Sequence, residues 1–248
     1  MTHCILLRGL AREHAHWGDF TDQLQVMQPS WQIHCLDLPG FGDFTQQASP
    51  TTIAGLADHI ESLLPEDNTP KVAIALSLGG MVALELLARG AIQYAVAINT
   101  SSLINPFWQR IKPSALPSMT AALLSPFTQL QERLVLQQVC NNKTLAAQHL
   151  PQWLNIQAKR PMTKSNAVRQ LIAASRFEPP QAECGEQLTL LASASDKLVS
   201  VECSKRLAAH YRAKLIIHPS AGHDLPLEDP EWVLEHSLNA INSSANYK

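Results

Sequence analysis

Short runs that are β-branched or wholly apolar alternate along the chain with longer stretches in which apolar residues return at helical spacing. Cys4-Ile5-Leu6-Leu7, Gln32-Ile33-His34-Cys35-Leu36, Lys71-Val72-Ala73-Ile74, Tyr94-Ala95-Val96-Ala97-Ile98, Gln187-Leu188-Thr189-Leu190-Leu191 and Lys214-Leu215-Ile216-Ile217-His218 read as strands. The pattern predicts helices over Trp17 to Met27, Ile53 to Leu64, Met81 to Ala88, Val201 to His210 and Glu231 to Leu238. Strands without a polar face need helices on both sides, so the expected fold is α/β, a mostly parallel doubly wound sheet. Only the tail, 242–248, is expected to fray.

The alternation stops after Ile98 and resumes at Gln187. Residues 101–185 lack glycine before Gly185 and hold eight of the 16 prolines, which reads as several short helices with stiff connections. We therefore expect a core formed by 1–100 and 186–248, with an all-helical cap, 101–185, inserted between them. Charge follows the same boundaries. The net charge of −2 conceals nine Lys and Arg against three acids in 101–185, a balance of +6 there and −8 elsewhere.

At 248 residues and 46% apolar content the chain can bury a large core without staples. Cys4, Cys35, Cys140, Cys184 and Cys203 are odd in number and scattered, which indicates neither a disulfide framework nor a zinc site. No apolar run is long enough for a leader or a membrane span, so a cytoplasmic location is expected. The cap's bases are spread over several helices without interleaved aromatics, unlike a nucleic-acid surface. No cofactor and no metal are expected.

Ala75-Leu76-Ser77-Leu78-Gly79-Gly80 carries the candidate chemistry. A serine between a strand and a helix, with small residues two before and two after it, matches a nucleophile elbow. Taken alone, Ser77 is equally an ordinary helix N-cap. Its partners decide between these readings. Asp196 follows the fifth strand and His223 the sixth, in the small-residue loop Pro219-Ser220-Ala221-Gly222-His223-Asp224. Open parallel sheets collect their ligands at that carboxyl edge, and the chain order Ser, Asp, His is the one this topology uses. Either residue alone would pass for a solvated loop side chain. Asp37 is read as a turn former, and Asp224 as a neighbour pointing away from the serine.

With these placements the chain resembles an α/β-hydrolase superfamily serine hydrolase with a helical cap, similar to carboxylesterase and pimeloyl-carrier-protein methyl esterase-like members. Arg8-Gly9-Leu10 stands at the family's His-Gly oxyanion loop and Asp37-Leu38-Pro39-Gly40-Phe41-Gly42 at its Asp-x-Pro-Gly-x-Gly turn. Ser77-Leu78-Gly79-Gly80 stands at the elbow and Gly222-His223 at the histidine loop. The resemblance implies Ser77 as nucleophile, His223 as base, Asp196 as acid, and the backbone N–H groups of Leu10 and Leu78 as oxyanion donors. Two positions depart from the pattern: Ala75 replaces a glycine and Arg8 a histidine.

A serine nucleophile points to cleavage of a carboxylic ester or thioester through an acyl-enzyme. Arg12, Trp108, Phe127 and Trp153 are candidate substrate-binding residues. The basic cap suggests an anionic substrate, either a small-molecule ester or an acyl group on an acidic acyl-carrier protein. The same three side chains serve carbon-carbon hydrolases and lyases of the cyclohexadiene carboxylate synthase type, and the scaffold also serves non-catalytic binding proteins.

Overall fold

The computed structural model describes residues 1–244. Its strands are β1 (Thr2–Leu7), β2 (Trp31–Leu36), β3 (Lys71–Leu76), β4 (Tyr94–Ile98), β5 (Leu188–Ser193) and β6 (Lys214–His218). They form one sheet in the order β2-β1-β3-β4-β5-β6, every neighbouring pair parallel. The helices α1 (Phe20–Met27), α2 (Ile53–Glu61) and α3 (Leu78–Ala88) precede β4. Between β4 and β5 come α4 (Phe107–Arg110), α5 (Leu116–Leu124), α6 (Thr128–Val139), α7 (Lys143–Lys159) and α8 (Lys164–Ser175), with no strand among them. α9 (Val201–Tyr211), α10 (Leu225–Glu228) and α11 (Pro230–Ser243) complete the described chain.

Alternation along each strand sends side chains to opposite faces, and both faces are apolar. Ile5, Leu7, Ala73, Ala75, Ala95, Ala97 and Leu190 pack under α2, α3 and α9. Cys4, Leu6, Val72, Ile74, Val96 and Ile98 pack on the other side under α1 and α11. The small side chains of β3 and β4 all lie on the α3 side. They allow that helix, buried nearly all round, to lie close to the sheet. Ala75 belongs to this set, paired with Leu7 on one side and Ala97 on the other.

Several helix ends differ from the pattern read in the sequence. Trp17 lies in a single 3-10 turn, His14–Trp17, and Gly18, at φ 52°, breaks the chain before α1 begins at Phe20. α2 stops at Glu61. α11 runs through Ser243, so Asn242 and Ser243 of the expected frayed tail are helical and Ser244 ends the helix; 245–248 lie outside the described residues. α11 starts at Pro230, one residue before the expected Glu231, where the Asp229 carboxylate caps it by accepting the Trp232 N–H at 3.1 Å. α6, α7 and the turn between them share a small core of Leu136, Val139, Cys140, Ala146 and Trp153. No helix among the described residues is long and apolar enough to cross a membrane.

Gly79 lets the first turn of α3 approach the end of β1. A Cβ there would lie 2.6 Å from the carbonyl oxygens of Leu7 and of Arg8. Backbone atoms cannot step aside as a flexible side chain can, so Gly79→Ala should cost about 1–3 kcal/mol by overpacking. The check is thermal unfolding, with a midpoint lowered by several degrees; an unchanged midpoint would contradict this packing.

Candidate active site

Ser77 follows β3 directly and holds φ 56° and ψ −113°. For a residue with a side chain this region costs about 1–3 kcal/mol and persists only where neighbours enforce it. Here the neighbours are the residues at the end of β4. The Ser77 N–H donates to the Ile98 carbonyl at 2.8 Å, and the Ser77 carbonyl accepts from the Thr100 hydroxyl at 2.8 Å. The serine side chain makes no capping bond to α3. The chain thus turns sharply from strand to helix at Ser77, and the serine side chain does not act as the helix cap. Gly9 lets the loop after β1 come close, since a Cβ there would lie 3.2 Å from Ser77 Cβ and 3.8 Å from its Oγ.

Asp196 and His223, 27 positions apart, meet at the same sheet edge. His223 Nδ1 donates to Asp196 Oδ2 at 2.6 Å, with the residues 4% and 2% exposed. The other carboxylate oxygen accepts the N–H groups of Leu198 and Val199 at 2.7 and 3.0 Å. A carboxylate so held fixes the proton on Nδ1 and leaves Nε2 as the acceptor. Asn99, at φ 47°, ties this loop to the sheet. Its amide donates to the His223 carbonyl at 2.8 Å and its Oδ1 accepts the Ser193 N–H at 2.8 Å. Asn99 and Thr100, adjacent in the chain, thus hold the backbones of His223 and Ser77. The sequence reading missed both. The available signal was an asparagine directly after an apolar strand, one of the few residue types with a side chain that tolerate a left-handed backbone.

The stretch from Arg8 to Trp17 is rich in charge, yet Arg8, Arg12, Glu13 and His16 are buried. The Arg8 guanidinium forms a two-point pair with the Asp224 carboxylate, and its carbon lies 5.0 Å from the Trp17 ring centre. Asp224 therefore joins the first loop to the histidine loop. Arg12 donates to Glu132 Oε2 on α6 at 2.7 Å and lies over the Trp153 ring at 4.4 Å. Glu13 accepts from Arg160 at 2.7 Å. Asp37 accepts the N–H groups of His14 and Asp43 at 2.6 and 3.0 Å, which gives it the turn-forming part expected of it.

The four expected substrate-binding residues do not form one pocket. Arg12 already has its counter-charge in Glu132. Trp153 is 1% exposed in the cap's own core, and Trp108 and Phe127 are 63% and 68% exposed on its surface. Aromatic and basic residue types signal contact without saying with what. Leu10 lies in the turn after β1, and Leu78 opens α3, whose first N–H groups have no partner within the helix. His14, Asp37 and Asp43 offer ligand atoms within 4.8 Å of one another. The Asp37 oxygens are already engaged by backbone N–H groups and by His14, so the cluster works as a loop clasp.

A parallel sheet carrying a left-handed serine after its third strand and a helical insertion after its fourth defines a hydrolase-type α/β architecture. The sequence profile of the alpha/beta hydrolase family matches residues 4–236, and the chain belongs to that family. It is 29% identical over 133 residues to the pimeloyl-(acyl-carrier protein) methyl ester esterase of Vibrio campbellii, covering 52% of this chain and 50% of that protein. It is 32% identical over 84 residues to the protein of the same name from Xanthomonas oryzae pv. oryzae, covering 34% and 30%. The chain thus spans half or less of the curated relatives named here. A hydrolase from Pseudomonas aeruginosa matches with a TM-score of 0.76 at 19% identity, over 98% of this chain and 90% of that one. The enol-lactonase of Burkholderia xenovorans matches with a TM-score of 0.75 at 16% identity, over 98% and 92%. These two structures share the fold.

Two predictions follow from the buried charges. Arg8→Met or Asp224→Leu alone leaves a buried partner unpaired and should cost about 3–5 kcal/mol, whereas the double variant should lose well under the sum. Denaturant unfolding of the cycle checks this, and strict additivity would contradict it. His16 has its pKa lowered well below the usual 6.5, first by burial and then by Arg12 and Arg8. Its Nε2 takes the Arg12 donor at 3.3 Å, as a neutral ring can. The unfolded chain then binds the extra proton below pH 6.5, so stability falls as pH drops through that window, by at most about 1.4 kcal/mol per pH unit. His34 and His59, also lowered by burial, add to this, while His14, raised by its bond to Asp37, opposes it. His16→Gln should flatten the acid slope of stability between pH 6.5 and 5, measured by urea unfolding at about half-unit steps.

Proposed function

We propose that this protein is a serine hydrolase that cleaves a carboxylic ester or thioester through Ser77, His223 and Asp196. The observation that carries the reading is the buried 2.6 Å bond between His223 and Asp196 at the sheet edge where Ser77 is held in its left-handed turn. His223 Nε2 takes the Ser77 proton as Oγ attacks the carbonyl carbon, and Asp196 stabilises the resulting imidazolium without taking its proton. The oxyanion is received by the N–H groups of Leu10 and Leu78, each such donor being worth about 3–4 kcal/mol of barrier. His223 then protonates the leaving alcohol or thiol, and water releases the acyl group by the same steps.

The substrate class we infer is anionic. Of the cap's nine bases, Arg110, Lys112, Arg160, Lys164 and Arg169 are engaged with carbonyls or with Glu13. Arg133, Lys143, Lys159 and Arg176 are exposed, with no side-chain hydrogen bond or ion pair among the described residues. Leu103, Phe107, Trp108, Leu124 and Phe127 are exposed on the same insertion. Cations beside apolar surface suit an acyl group delivered on an acidic carrier protein, and the Vibrio and Xanthomonas relatives are named for a pimeloyl-(acyl-carrier protein) methyl ester.

A fluorophosphonate probe should label Ser77 and fail with Ser77→Ala and His223→Ala, and both variants should lose p-nitrophenyl ester hydrolysis by about ten-thousand-fold or more. Hydrolysis at full rate in Ser77→Ala would overturn the reading. For the substrate class, kcat/KM for an anionic ester should fall with added salt while that for its neutral analogue stays level. Equal salt responses would remove the anionic preference and leave the esterase.

A further inference from the structure

The three residues after Leu10 are each held by a different part of the cap. The Ala11 N–H donates to Gln170 Oε1 of α8 at 2.9 Å, Arg12 pairs with Glu132 of α6, and Glu13 pairs with Arg160 just beyond α7. The first of these tethers acts on the backbone. The Arg12 N–H closes a turn onto the Gly9 carbonyl at 3.2 Å, with Leu10 and Ala11 at its centre, and Ala11 holds φ 58°. A positive φ at the third turn position ordinarily calls for glycine or asparagine, and alanine favours the commoner turn in which the central peptide is rotated. Ala11 is only 7% exposed, so water is a poor substitute acceptor for its N–H. Gln170 supplies that acceptor from a side chain with 0% exposure.

Fold stability is a weak account of Gln170. Its Nε2 is buried without a partner among the described residues, and a half-satisfied buried amide stabilises less than an apolar residue of the same shape. We propose that Gln170 is a positioning residue: by holding the Ala11 N–H from the insertion it keeps the Gly9–Arg12 turn in place, and with it the preceding Gly9–Leu10 peptide whose N–H is to face the developing oxyanion. The proposal rests on the hydrolase reading for its catalytic consequence only. The tether itself is independent of any reaction. Through this bond the cap and the oxyanion loop form one unit, and a cap displaced from α8's present seat leaves the turn free to relax.

The test compares Gln170→Leu, which keeps the bulk and removes the acceptor, with Gln170→Glu, which keeps an acceptor oxygen at the same reach. In Gln170→Leu, kcat for p-nitrophenyl acetate should fall about 10- to 100-fold with KM nearly constant, below the 100- to 1,000-fold loss seen when an oxyanion donor is removed outright. Affinity for a boronic acid that mimics the tetrahedral oxyanion should fall in parallel, and Gln170→Glu should recover most of both. Hydrogen exchange of the peptide spanning 8–17, followed by mass spectrometry, should speed up in Gln170→Leu and not in Gln170→Glu. Unchanged exchange in a folded Gln170→Leu overturns the tether whatever the enzyme does. A rise in KM alone, or a loss of activity that Gln170→Glu does not recover, overturns the positioning role. Absence of turnover in the wild-type protein would refute the hydrolase reading, and the exchange comparison would still decide whether Gln170 holds the loop.

Discussion

Holding Ser77 in a left-handed conformation requires that no neighbouring segment leave it room to relax, and much of the surrounding chain can be read as meeting that requirement. The end of β4 grips its N–H and its carbonyl. Gly9 and Gly79 bring the loop after β1 against it, and Gly80 lets Thr100 approach α3, where a Cβ would lie 2.9 Å from Thr100 Cβ. Small residues on one face of β3 and β4 lower α3 toward the sheet, so that its first turn begins immediately at Leu78. Strain at one residue is thus balanced by close packing at several others, which is the only way such a conformation persists.

What could be read from the sequence follows from what is local. The strands were legible because each is a short apolar run with its own period, and the sharp strand-to-helix turn at Ser77 because strand, small residues, serine and helix are consecutive. Asp196 and His223 could be placed because strand order fixes which loops share an edge. The insertion stood out by its proline content and charge. Bonds between distant segments were not legible. Asn99 reaches residue 223 across half the chain, and Arg8 reaches residue 224 across most of it. Nothing near Arg8 distinguishes a solvated arginine from one facing a carboxylate that far away. Arg12 was misread for the same reason: its type promised an anion, and the anion turned out to be Glu132.

The run of charges after β1 also changes how the cap's basic character is to be understood. Counted along the sequence, the insertion has a large positive excess; in space, part of that excess meets Glu13 and part is spent on backbone carbonyls, including those ending α8. Conversely Glu132, one of its few acids, is buried against Arg12. The loop and the cap therefore exchange opposite charges in both directions, cation to acid at residues 12 and 132 and acid to cation at 13 and 160. Net charge reports the field at a distance, where only the exposed bases contribute strongly, and says little about the joint itself.

Buried ion pairs of this kind contribute little net stability over apolar packing, because desolvation offsets most of the attraction. Their effect is on which displacements are tolerated. Sliding α6 or the end of α7 along the loop would leave Glu132 or Glu13 buried without a counter-charge, the costly case. Lifting the cap away would expose both members of each pair to water, which solvates them and recovers much of what the separation loses. The arrangement therefore resists shear and fits one register, because two pairs of reversed polarity side by side match only when Arg12 faces Glu132 and Glu13 faces Arg160, and in that register Gln170 also lies on Ala11.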